Sequence, residues 1–443
     1  MPYIPHSPDE EREMLKSIGI SSLDDLFKEI PESLKLKKEL DLTDGLSESE
    51  VLADLKKLMF MNKCCDRAVS FLGGGAYDHS IPSIINHLIL RSEFYTAYTP
   101  YQAEVSQGTL QMIYEYQTMI CELTGMDVSN ASMYDGASAA AEAGLLMSGF
   151  KKRNKILISD LVHPNYSEVI KTYFYGQDIE LTKIKNDNGM LDKDDLSRKI
   201  DENTAGLIVQ NPNFFGIIED VEEIGNICKE KDIMYTNIVN PISLGILKSP
   251  GEAGADIAVG EGQPLGIPVS LGGPYLGFFA VKQQFIKLMP GRIIGQTTDV
   301  KENTGYVMVL QTREQHIKRE KATSNICTNQ GLMALCACIY MSIVGKKGIK
   351  LAAELSSQNA HYLAGKISNL RGFELKYDTP FFNEFVVAAD KDTDEILNKL
   401  NNNGFYAGIN LKKFGFENGL LIAVTEKRTK KEMDCFVDEL SKL

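Results

Sequence analysis

Residues 155–184, KILISDLVHPNYSEVIKTYFYGQDIELTKI, contain two short apolar runs separated by an amphipathic segment. KILIS and IELTKI have the length and the β-branched composition of buried strands, and PNYSEVIKTYF has the apolar spacing of a helix that begins at a proline. A strand, a helix and a second strand in this order indicate a βαβ unit with parallel strands. The stretch therefore predicts an α/β fold.

The same alternation continues to residue 281. The further apolar runs that predict strands are AGLIVQ, IMYTNIV, DIAVG and LGFFAV, at residues 205–210, 233–239, 256–260 and 276–281. Residues 192–200 and 219–231 have helical spacing and begin with acidic side chains, which favour the start of a helix. We therefore expect a doubly wound domain with a mainly parallel sheet.

Changes in pattern divide the chain into three regions. Residues 1–63 contain three helix starts, the first at Ser7-Pro8, so we expect an N-terminal helical segment. Residues 64–330 hold the large α/β domain. In residues 331–443 a long helical stretch precedes a new order of strands and helices, with FYAGIN (405–410) among the strands. This order predicts a linker helix and a small α+β carboxy-terminal domain.

Bulk composition excludes several classes of protein. The 443 residues carry a formal net charge of −13, whereas binding to nucleic acid or to an anionic membrane face needs a basic surface. No apolar run approaches the roughly 20 residues of a membrane span, and the first residues lack the pattern of a signal peptide. We expect a cytoplasmic protein with neither nucleic acid nor membrane as its partner.

The cysteines and histidines predict no metal site. The eight cysteines are scattered without paired CxxC sets, and the six histidines form no metal-binding motif. Cys336 and Cys338 lie in the apolar run LMALCACIYM, which indicates reduced cysteines in the core.

The segment DGASAAAEA (135–143) is a turn followed by a good helix former. Free backbone N–H groups and a serine hydroxyl at the start of a helix bind phosphate well, which makes Gly136 and Ser138 candidates for a cofactor site. On this signal alone a simple helix cap is the favoured interpretation. The other glycine runs, at 73–75 and 272–273, match no spaced phosphate-binding fingerprint.

Together with the βαβ order and the small last domain, DGASAAAEA resembles the aspartate aminotransferase-like fold, fold type I, of pyridoxal phosphate (PLP) enzymes. Three long blocks are more specific: FLGGGAYDHSIP (71–82), the block from YTAYTPYQ to DGASAAAEA (95–143), and LQTREQHIKREKATSNICTNQ (310–330). They closely resemble the glycine decarboxylase P-protein family, specifically subunit 1 (alpha) of its two-subunit form. The resemblance runs nearly from end to end.

The resemblance also implies that this chain has lost its own cofactor site. In PLP enzymes of this fold an aspartate keeps the pyridine nitrogen protonated, and a lysine forms the Schiff base. Against the catalytic subunit, Asn237 falls at the aspartate position and Pro264 at the lysine position, and no lysine occurs between Lys248 and Lys282. Gly136 and Ser138 would then be a vestigial phosphate site, and PLP would be held by the partner subunit.

The family's reaction implies the rest of the expected function. Glycine is decarboxylated on PLP, CO2 is released, and the aminomethyl group passes to the lipoyl arm of the H-protein. The expected assembly is a heterotetramer of two alpha and two beta chains, in which this chain completes the shared site and is inactive alone. One alternative is a structural or regulatory pseudoenzyme that stabilises subunit 2. A further alternative is a self-sufficient PLP enzyme with its lysine elsewhere, such as Lys282.

The tyrosine loop, YTAYTPYQAEVSQG (95–108), is the segment expected to reach into the shared site. Its polar, turn-forming neighbours are residues that a buried core would not choose, although tyrosines three residues apart could also form one packed face. Its candidate site residues are Tyr95, Tyr98, Ser106 and Gln107, with Tyr101 and Glu104 beside them.

The basic block, REQHIKREK (313–321), and the residues that follow it match a family signature near the active centre. A solvated helical face with charge pairs four residues apart is the ordinary interpretation of such a run. In an acidic protein a local basic cluster can instead receive an anionic partner, here the lipoylated H-protein. The candidates for lining the site or contacting the H-protein are Arg313, His316, Arg319, Ser324 and Asn325.

Overall fold

The structure is a computed structural model that describes residues 6–38, 40–64, 67–270 and 272–443. The chain divides into two compact units, Met1–Lys63 and Cys64–Leu443. The smaller unit contains helices α1 (Pro8–Ile18) and α2 (Glu48–Met61) and two short 3₁₀ helices, Leu23–Phe27 and Glu32–Leu34. The three helix starts predicted in this part of the chain are confirmed.

The larger unit holds the remaining helices and the strands. Its helices are α3 (Ile84–Ile89), α4 (Ser92–Tyr95), α5 (Gln107–Thr124), α6 (Gly136–Lys151), α7 (Pro164–Phe174), α8 (Lys193–Lys199), α9 (Val221–Glu230), α10 (Gln315–Lys318), α11 (Gly331–Ile367), α12 (Thr393–Asn402) and α13 (Lys430–Ser441). Its strands are β1 (Val69–Ser70), β2 (Val128–Ser129), β3 (Lys155–Ser159), β4 (Glu180–Ile184), β5 (Asn186–Asp187), β6 (Met190–Leu191), β7 (Thr204–Asn211), β8 (Met234–Val239), β9 (Ile257–Glu261), β10 (Gly277–Val281), β11 (Ile293–Thr298), β12 (Thr304–Val309), β13 (Phe373–Leu375), β14 (Glu384–Ala389), β15 (Phe405–Tyr406), β16 (Ile409–Asn410) and β17 (Gly419–Ala423).

The central sheet of the larger unit has the order β2-β10-β9-β8-β7-β3-β4. Strands β4, β3, β7, β8 and β9 are parallel, whereas β10 is antiparallel to both of its neighbours. Strand β3 and helix α7 coincide with KILIS and PNYSEVIKTYF, and the other predicted strands of this sheet differ by one residue at their ends. The predicted α/β fold with a mainly parallel sheet is confirmed.

Both faces of the central sheet are covered by helices. Ile156 and Ile158 of β3 belong to the core that includes Met147 of α6, whereas Leu157 between them belongs to the core that includes Tyr116 of α5. Successive side chains of a strand point to opposite faces, so an apolar run without polar interruptions requires a cover on each side. This packing explains why KILIS has no alternating pattern.

The carboxy-terminal strands form an antiparallel sheet in the order β13-β14-β17-β16. The prediction of FYAGIN as one strand is wrong: β15 pairs with β1 in parallel, while β16 pairs with β17. Gly408 lies at the break with φ of 126°, and a Cβ there would be 2.5 Å from the carbonyl oxygen of Leu421. Only glycine combines this backbone conformation with such a close approach, so the chain turns at this point.

Helix α11 is the one helix of the described chain that is long and apolar enough to span a membrane, a feature that the sequence analysis did not anticipate. Gly345, with φ of 57° and ψ of −176°, interrupts its helical geometry. Leu335 and Tyr340 before this kink and Leu363 after it are buried in hydrophobic cores of the larger unit. Core packing therefore accounts for the apolar character of these residues. Cys336 and Cys338 are buried free thiols on the same helix, as predicted.

Candidate functional site

The DGAS segment forms the start of α6, and its polar groups bind one another. The Asp135 carboxylate accepts a hydrogen bond from the backbone N–H of Ser138 at 2.8 Å, and the Ser138 hydroxyl donates to the carbonyl oxygen of Asp135 at 3.0 Å. This reciprocal arrangement caps the helix. The helix-cap interpretation of the sequence is the one that the geometry supports, because the serine hydroxyl is already used.

A second carboxylate lies at the same helix start. Glu261 is the last residue of β9, and its side chain accepts hydrogen bonds from the backbone N–H groups of Gly136 (3.1 Å), Gln263 (3.1 Å) and Leu276 (2.9 Å). Burial raises the pKa of this carboxyl to about 7, against the opposing effect of these hydrogen bonds. The place that an external anion takes at a helix N-terminus is thus filled by the chain's own side chain.

The backbone around Gly136 leaves no free space. A Cβ built on Gly136 would lie 2.1 Å from the Tyr166 hydroxyl oxygen and 2.9 Å from the backbone nitrogen of Glu261. The start of α6 is therefore pressed against the carboxyl end of β9.

Pro264 follows the carboxyl end of β9, and Asn237 lies within the neighbouring strand β8, where it pairs with Ala258. Asn237 is buried in β8, and its Oδ1 has no hydrogen-bond partner within the described residues. Pro264 follows Gln263, whose side-chain amide accepts from the N–H of Tyr77 at 2.9 Å and donates to the carbonyl oxygens of Tyr77 (3.0 Å) and Ile267 (2.7 Å). These contacts hold the turn after β9 against Tyr77 of the first family block.

The residues at this edge do not fit PLP. The cofactor's phosphate would meet the carboxylates of Glu261 and Asp135, and Pro264 has no amine with which to form an imine. Asn237 is a neutral amide and cannot stabilise a protonated pyridine nitrogen as a carboxylate does. No catalytic step on PLP is therefore assigned to this end of the sheet.

Lys282 lies away from this edge. Its Nζ donates to Asp256 Oδ1 at 3.0 Å, and Asp256 precedes β9 whereas Glu261 ends it. A strand of that length separates the two ends by roughly 15 Å. This placement argues against the alternative of a Schiff base at Lys282. Within the described residues, no group of three His, Cys, Asp or Glu side chains could hold a metal ion.

The FLGGGAY block is fixed by a glutamate that the sequence analysis did not single out. Glu384, at the start of β14, accepts hydrogen bonds from the backbone N–H of Gly74 at 2.6 Å and from the Tyr77 hydroxyl at 2.9 Å. Burial raises the pKa of Glu384 to about 7. Together with the contacts between Tyr77 and Gln263, this carboxyl links the first family block to both sheets.

The tyrosine loop has a different environment. Tyr95, Tyr98 and Tyr101 are 57%, 85% and 55% exposed. Tyr98 also lines a cavity of about 370 Å³, whose other walls include Met112, Pro274 and the start of α11. The loop therefore places aromatic rings and hydroxyls at the protein surface.

The two polar candidates at the end of the loop differ from each other. Ser106 precedes α5 and makes no side-chain capping bond there. Gln107 is bound to the backbone of β12: its amide accepts from the N–H of Tyr306 at 2.8 Å and donates to the carbonyl oxygen of the same residue at 2.9 Å. Gln107 thus joins the tyrosine loop to the β11–β12 hairpin.

The basic block is also heterogeneous. Arg313 is half-buried and donates to the carbonyl oxygens of Met289 and Gly291, so its guanidinium supports the backbone, and burial lowers its pKa. His316 and Arg319 are exposed, and His316 Nδ1 lies 3.6 Å from Glu314 Oε2. Asn325 is exposed and Ser324 is half-buried.

A buried arginine outside the predicted set connects these segments. Arg292, 5% exposed, donates to the carbonyl oxygen of Cys327 (2.7 Å), to Thr328 Oγ1 (3.1 Å) and to the hydroxyl of Tyr101 (3.3 Å). Sequence reasoning missed it because PGRIIG contains only an arginine after a turn, with nothing to indicate partners far along the chain. The tyrosine loop and the residues after the basic block therefore meet at one side chain.

Comparison with known proteins identifies the family. The model of the glycine cleavage system P-protein family matches residues 1–440. The chain belongs to the glycine cleavage system P-protein family. This P-protein-family chain is 52% identical over 443 residues to "Probable glycine dehydrogenase (decarboxylating) subunit 1" of Chloroherpeton thalassium, covering all of both chains. It is 52% identical over 442 residues to the protein of the same name from Carboxydothermus hydrogenoformans, covering 99% of each.

Solved structures agree with this assignment. The structure of glycine decarboxylase (P-protein) of the glycine cleavage system, in inhibitor-bound form, has a TM-score of 0.93 at 39% identity and covers 100% of both chains. Sphingosine-1-phosphate lyase from Burkholderia pseudomallei and glutamate decarboxylase from Lactobacillus brevis have TM-scores of 0.68 at 14% and 12% identity, a likeness that concerns the fold alone. The predicted fold type I architecture of PLP-dependent enzymes is confirmed for this P-protein-family chain.

Proposed function

We propose that this chain is subunit 1 (alpha) of a two-subunit glycine decarboxylase and that it completes an active site whose PLP is held by subunit 2. The observation that carries the proposal lies at the carboxyl end of β9. The side chain of Glu261 binds the free N–H group at the start of α6, and Pro264 has no amine that could form an imine. A chain of this fold that has no place for the cofactor needs a partner for the chemistry. The relatives' printed name, "subunit 1", supports a partner chain.

The reaction of the assembled enzyme is glycine decarboxylation with transfer to a carrier. Glycine loses its carboxyl carbon as CO2, and the aminomethyl group that remains passes to one sulfur of the H-protein's lipoyl disulfide while the other sulfur is reduced. The enzyme is thus an oxidoreductase, aminomethyl-transferring and decarboxylating. Its expected form is a cytoplasmic heterotetramer of two alpha and two beta chains, in which the alpha chain alone is inactive.

The tyrosine loop is the part of this chain that we place in the shared site. The exposed hydroxyls of Tyr95 and Tyr98 are available to donate hydrogen bonds across a subunit boundary, and Ser106 has no capping bond that would hold its hydroxyl. Gln107 supports the loop through Tyr306. The loop thereby supplies hydrogen-bond donors and excludes water, while subunit 2 supplies the cofactor.

The basic block is the part that we place near the H-protein. His316 and Arg319 are exposed at its surface, as are Lys318 and Lys321, on a chain whose net charge is −13. A local positive surface attracts an acidic carrier. Arg313 holds the block's backbone, and Ser324 and Asn325 line the path from the block to the shared site.

The test is reconstitution. The chain co-purified with subunit 2 is expected to catalyse the exchange of bicarbonate carbon into glycine in the presence of lipoylated H-protein, and neither subunit alone should do so. The competing hypothesis, a scaffold that only stabilises subunit 2, predicts that loss of turnover in any loop variant follows loss of assembly. Normal exchange by subunit 2 alone would refute the proposal.

A further inference from the structure

Arg292 is a buried cation whose contacts run to segments far apart in the sequence. It lies 191 residues from Tyr101 and 35 and 36 residues from Cys327 and Thr328. Its Cζ also lies 5.4 Å from the centre of the Tyr101 ring, within the range of a cation–π interaction. A single side chain thus holds two of the family blocks by directed bonds.

The charge of Arg292 is compensated locally. Glu314 Oε2 lies 3.7 Å from its Nε, and the Glu314 side chain is itself nearly buried. A buried guanidinium persists only when a counter-charge and hydrogen-bond acceptors surround it. The planar fork of arginine reaches three acceptors at once, which the single ammonium of lysine cannot reproduce in this geometry.

The other side of the same segment is fixed as well. The backbone N–H of Cys327 donates to the Tyr134 hydroxyl at 3.0 Å, and that of Gln330 donates to Ser132 Oγ at 2.9 Å. Tyr134 directly precedes Asp135 at the start of α6. Residues 327–330 are therefore held between Arg292 and the start of α6, and the bond from Arg292 to Tyr101 joins the tyrosine loop to this arrangement.

We propose that Arg292 is the positioning residue of the shared site: it holds Tyr101 and the Cys327–Thr328 segment in one fixed arrangement, so that the tyrosine loop and the segment that follows the basic block reach subunit 2 together. The inference rests on the proposed function for its catalytic consequence. Its structural part, the fixing of both segments, belongs to this chain alone.

The structural part is tested on the isolated chain through a thiol. Cys327 is exposed, and Arg292 binds its carbonyl oxygen, so loosening this segment should expose the thiol further. In Arg292→Gln the rate of iodoacetamide alkylation at Cys327, followed by peptide mass spectrometry, should rise about threefold or more, and Arg292→Lys should give an intermediate rate. The exposed thiols of Cys64 and Cys435 in the same molecule are the reference and should keep their rates.

Two variants guard against simple unfolding. Arg153→Gln is the matched control. Arg153 also donates hydrogen bonds to backbone carbonyl oxygens, those of Thr204 and Asp232, and neither residue belongs to the tyrosine loop or to the Cys327–Thr328 segment. Thr328→Val removes one contact of Arg292 at an exposed position. An unchanged Cys327 rate in Arg292→Gln, with Cys435 also unchanged, would overturn the proposal.

The catalytic part is tested in the complex with subunit 2. Arg292→Gln should assemble normally, bind H-protein with an unchanged KM, and lose roughly tenfold in kcat, because both segments lose their shared anchor. Arg292→Lys should recover part of that loss. A parental kcat combined with a raised Cys327 rate would overturn the positioning role. If the parent complex itself shows no glycine exchange, the proposed function fails while the thiol result stands.

Discussion

The surroundings of Glu261 are closed, whereas those of Tyr98 are open. The Glu261 carboxylate is partly buried and accepts hydrogen bonds from three backbone N–H groups at three points of the chain. Tyr98 is 85% exposed on a loop that also exposes Tyr95, Tyr101 and Val105. The backbone N–H groups at the start of α6 and after β9 are thus satisfied by a side chain of the chain itself, because unpaired buried N–H groups are costly. The rings of Tyr95 and Tyr98 are left largely uncovered by the chain, and an exposed aromatic cluster of this kind is typical of interaction sites.

The largest effect is expected on stability, from removing the Glu261 side chain. Glu261→Ala removes the acceptor of three backbone N–H groups, and at about 1 kcal/mol or more for each unsatisfied group the free energy of unfolding should fall by about 3 kcal/mol or more. Urea denaturation measures it. Glu261→Gln keeps one acceptor oxygen and should cost less than half as much. Glu104→Ala, an exposed glutamate of the tyrosine loop, is the control and should stay within about 0.5 kcal/mol of the parent.

The next effect concerns the open side. Tyr98→Phe keeps the ring and removes one hydroxyl, so the complex should assemble while kcat falls roughly tenfold or more, because a hydrogen-bond partner left unsatisfied in the site costs about 1–3 kcal/mol. Tyr95→Phe and Ser106→Ala are companion variants. Tyr175→Phe is the matched control, since Tyr175 is equally exposed but lies outside the loop. Parental turnover by all three loop variants would favour the scaffold hypothesis.

A pH dependence sharpens the comparison further. The pKa of Glu384 is raised to about 7 in the folded chain from an ordinary 4.5. The folded state therefore binds the proton more tightly than the unfolded state, so this contribution to stability is full below pH 4.5 and is lost as the pH rises through 7. Glu384→Gln stays neutral; its amide oxygen can accept from the Gly74 N–H while its NH2 group donates to the Tyr77 hydroxyl. Between pH 5 and pH 8 the parent should lose about 1–3 kcal/mol more stability than this variant. Equal losses in the two proteins would contradict the raised pKa.

The smallest effect is expected at the basic block. Replacing Lys318 and Arg319 by glutamate should raise the KM for H-protein a few-fold, more steeply at low salt, and leave the KM for glycine unchanged, because exposed charges act through screened, long-range attraction. Lys346→Glu with Lys347→Glu makes the same change of charge at another exposed position. If both double variants change the KM for H-protein equally, the effect comes from the net charge of the chain and not from the position of the basic block.

Local elements were the most predictable features of the fold. KILIS and PNYSEVIKTYF coincide with β3 and α7, because an apolar run and an N-terminal proline act through neighbours in the sequence. The prediction of FYAGIN as one strand was wrong because the chain divides there into two strands at Gly408. This division depends on the backbone of Leu421, which approaches Gly408 from another strand. The candidate site shows a related limit. Gln107 stays a predicted site residue, but its sequence context did not indicate that its amide binds the backbone of Tyr306, 199 residues away.

The sequence by itself determined the α/β fold, the family, and the absence of a lysine between Lys248 and Lys282, since each follows from residue types and their order. Only the tertiary structure decided which carboxylate lies at the start of α6 and which side chain holds the tyrosine loop. Glu261 meets Gly136 across 125 residues, and Arg292 meets Tyr101 across 191. Hydrogen bonds over such separations depend on how strands and helices pack, and a buried carboxylate or guanidinium has the same letter in the sequence as an exposed one.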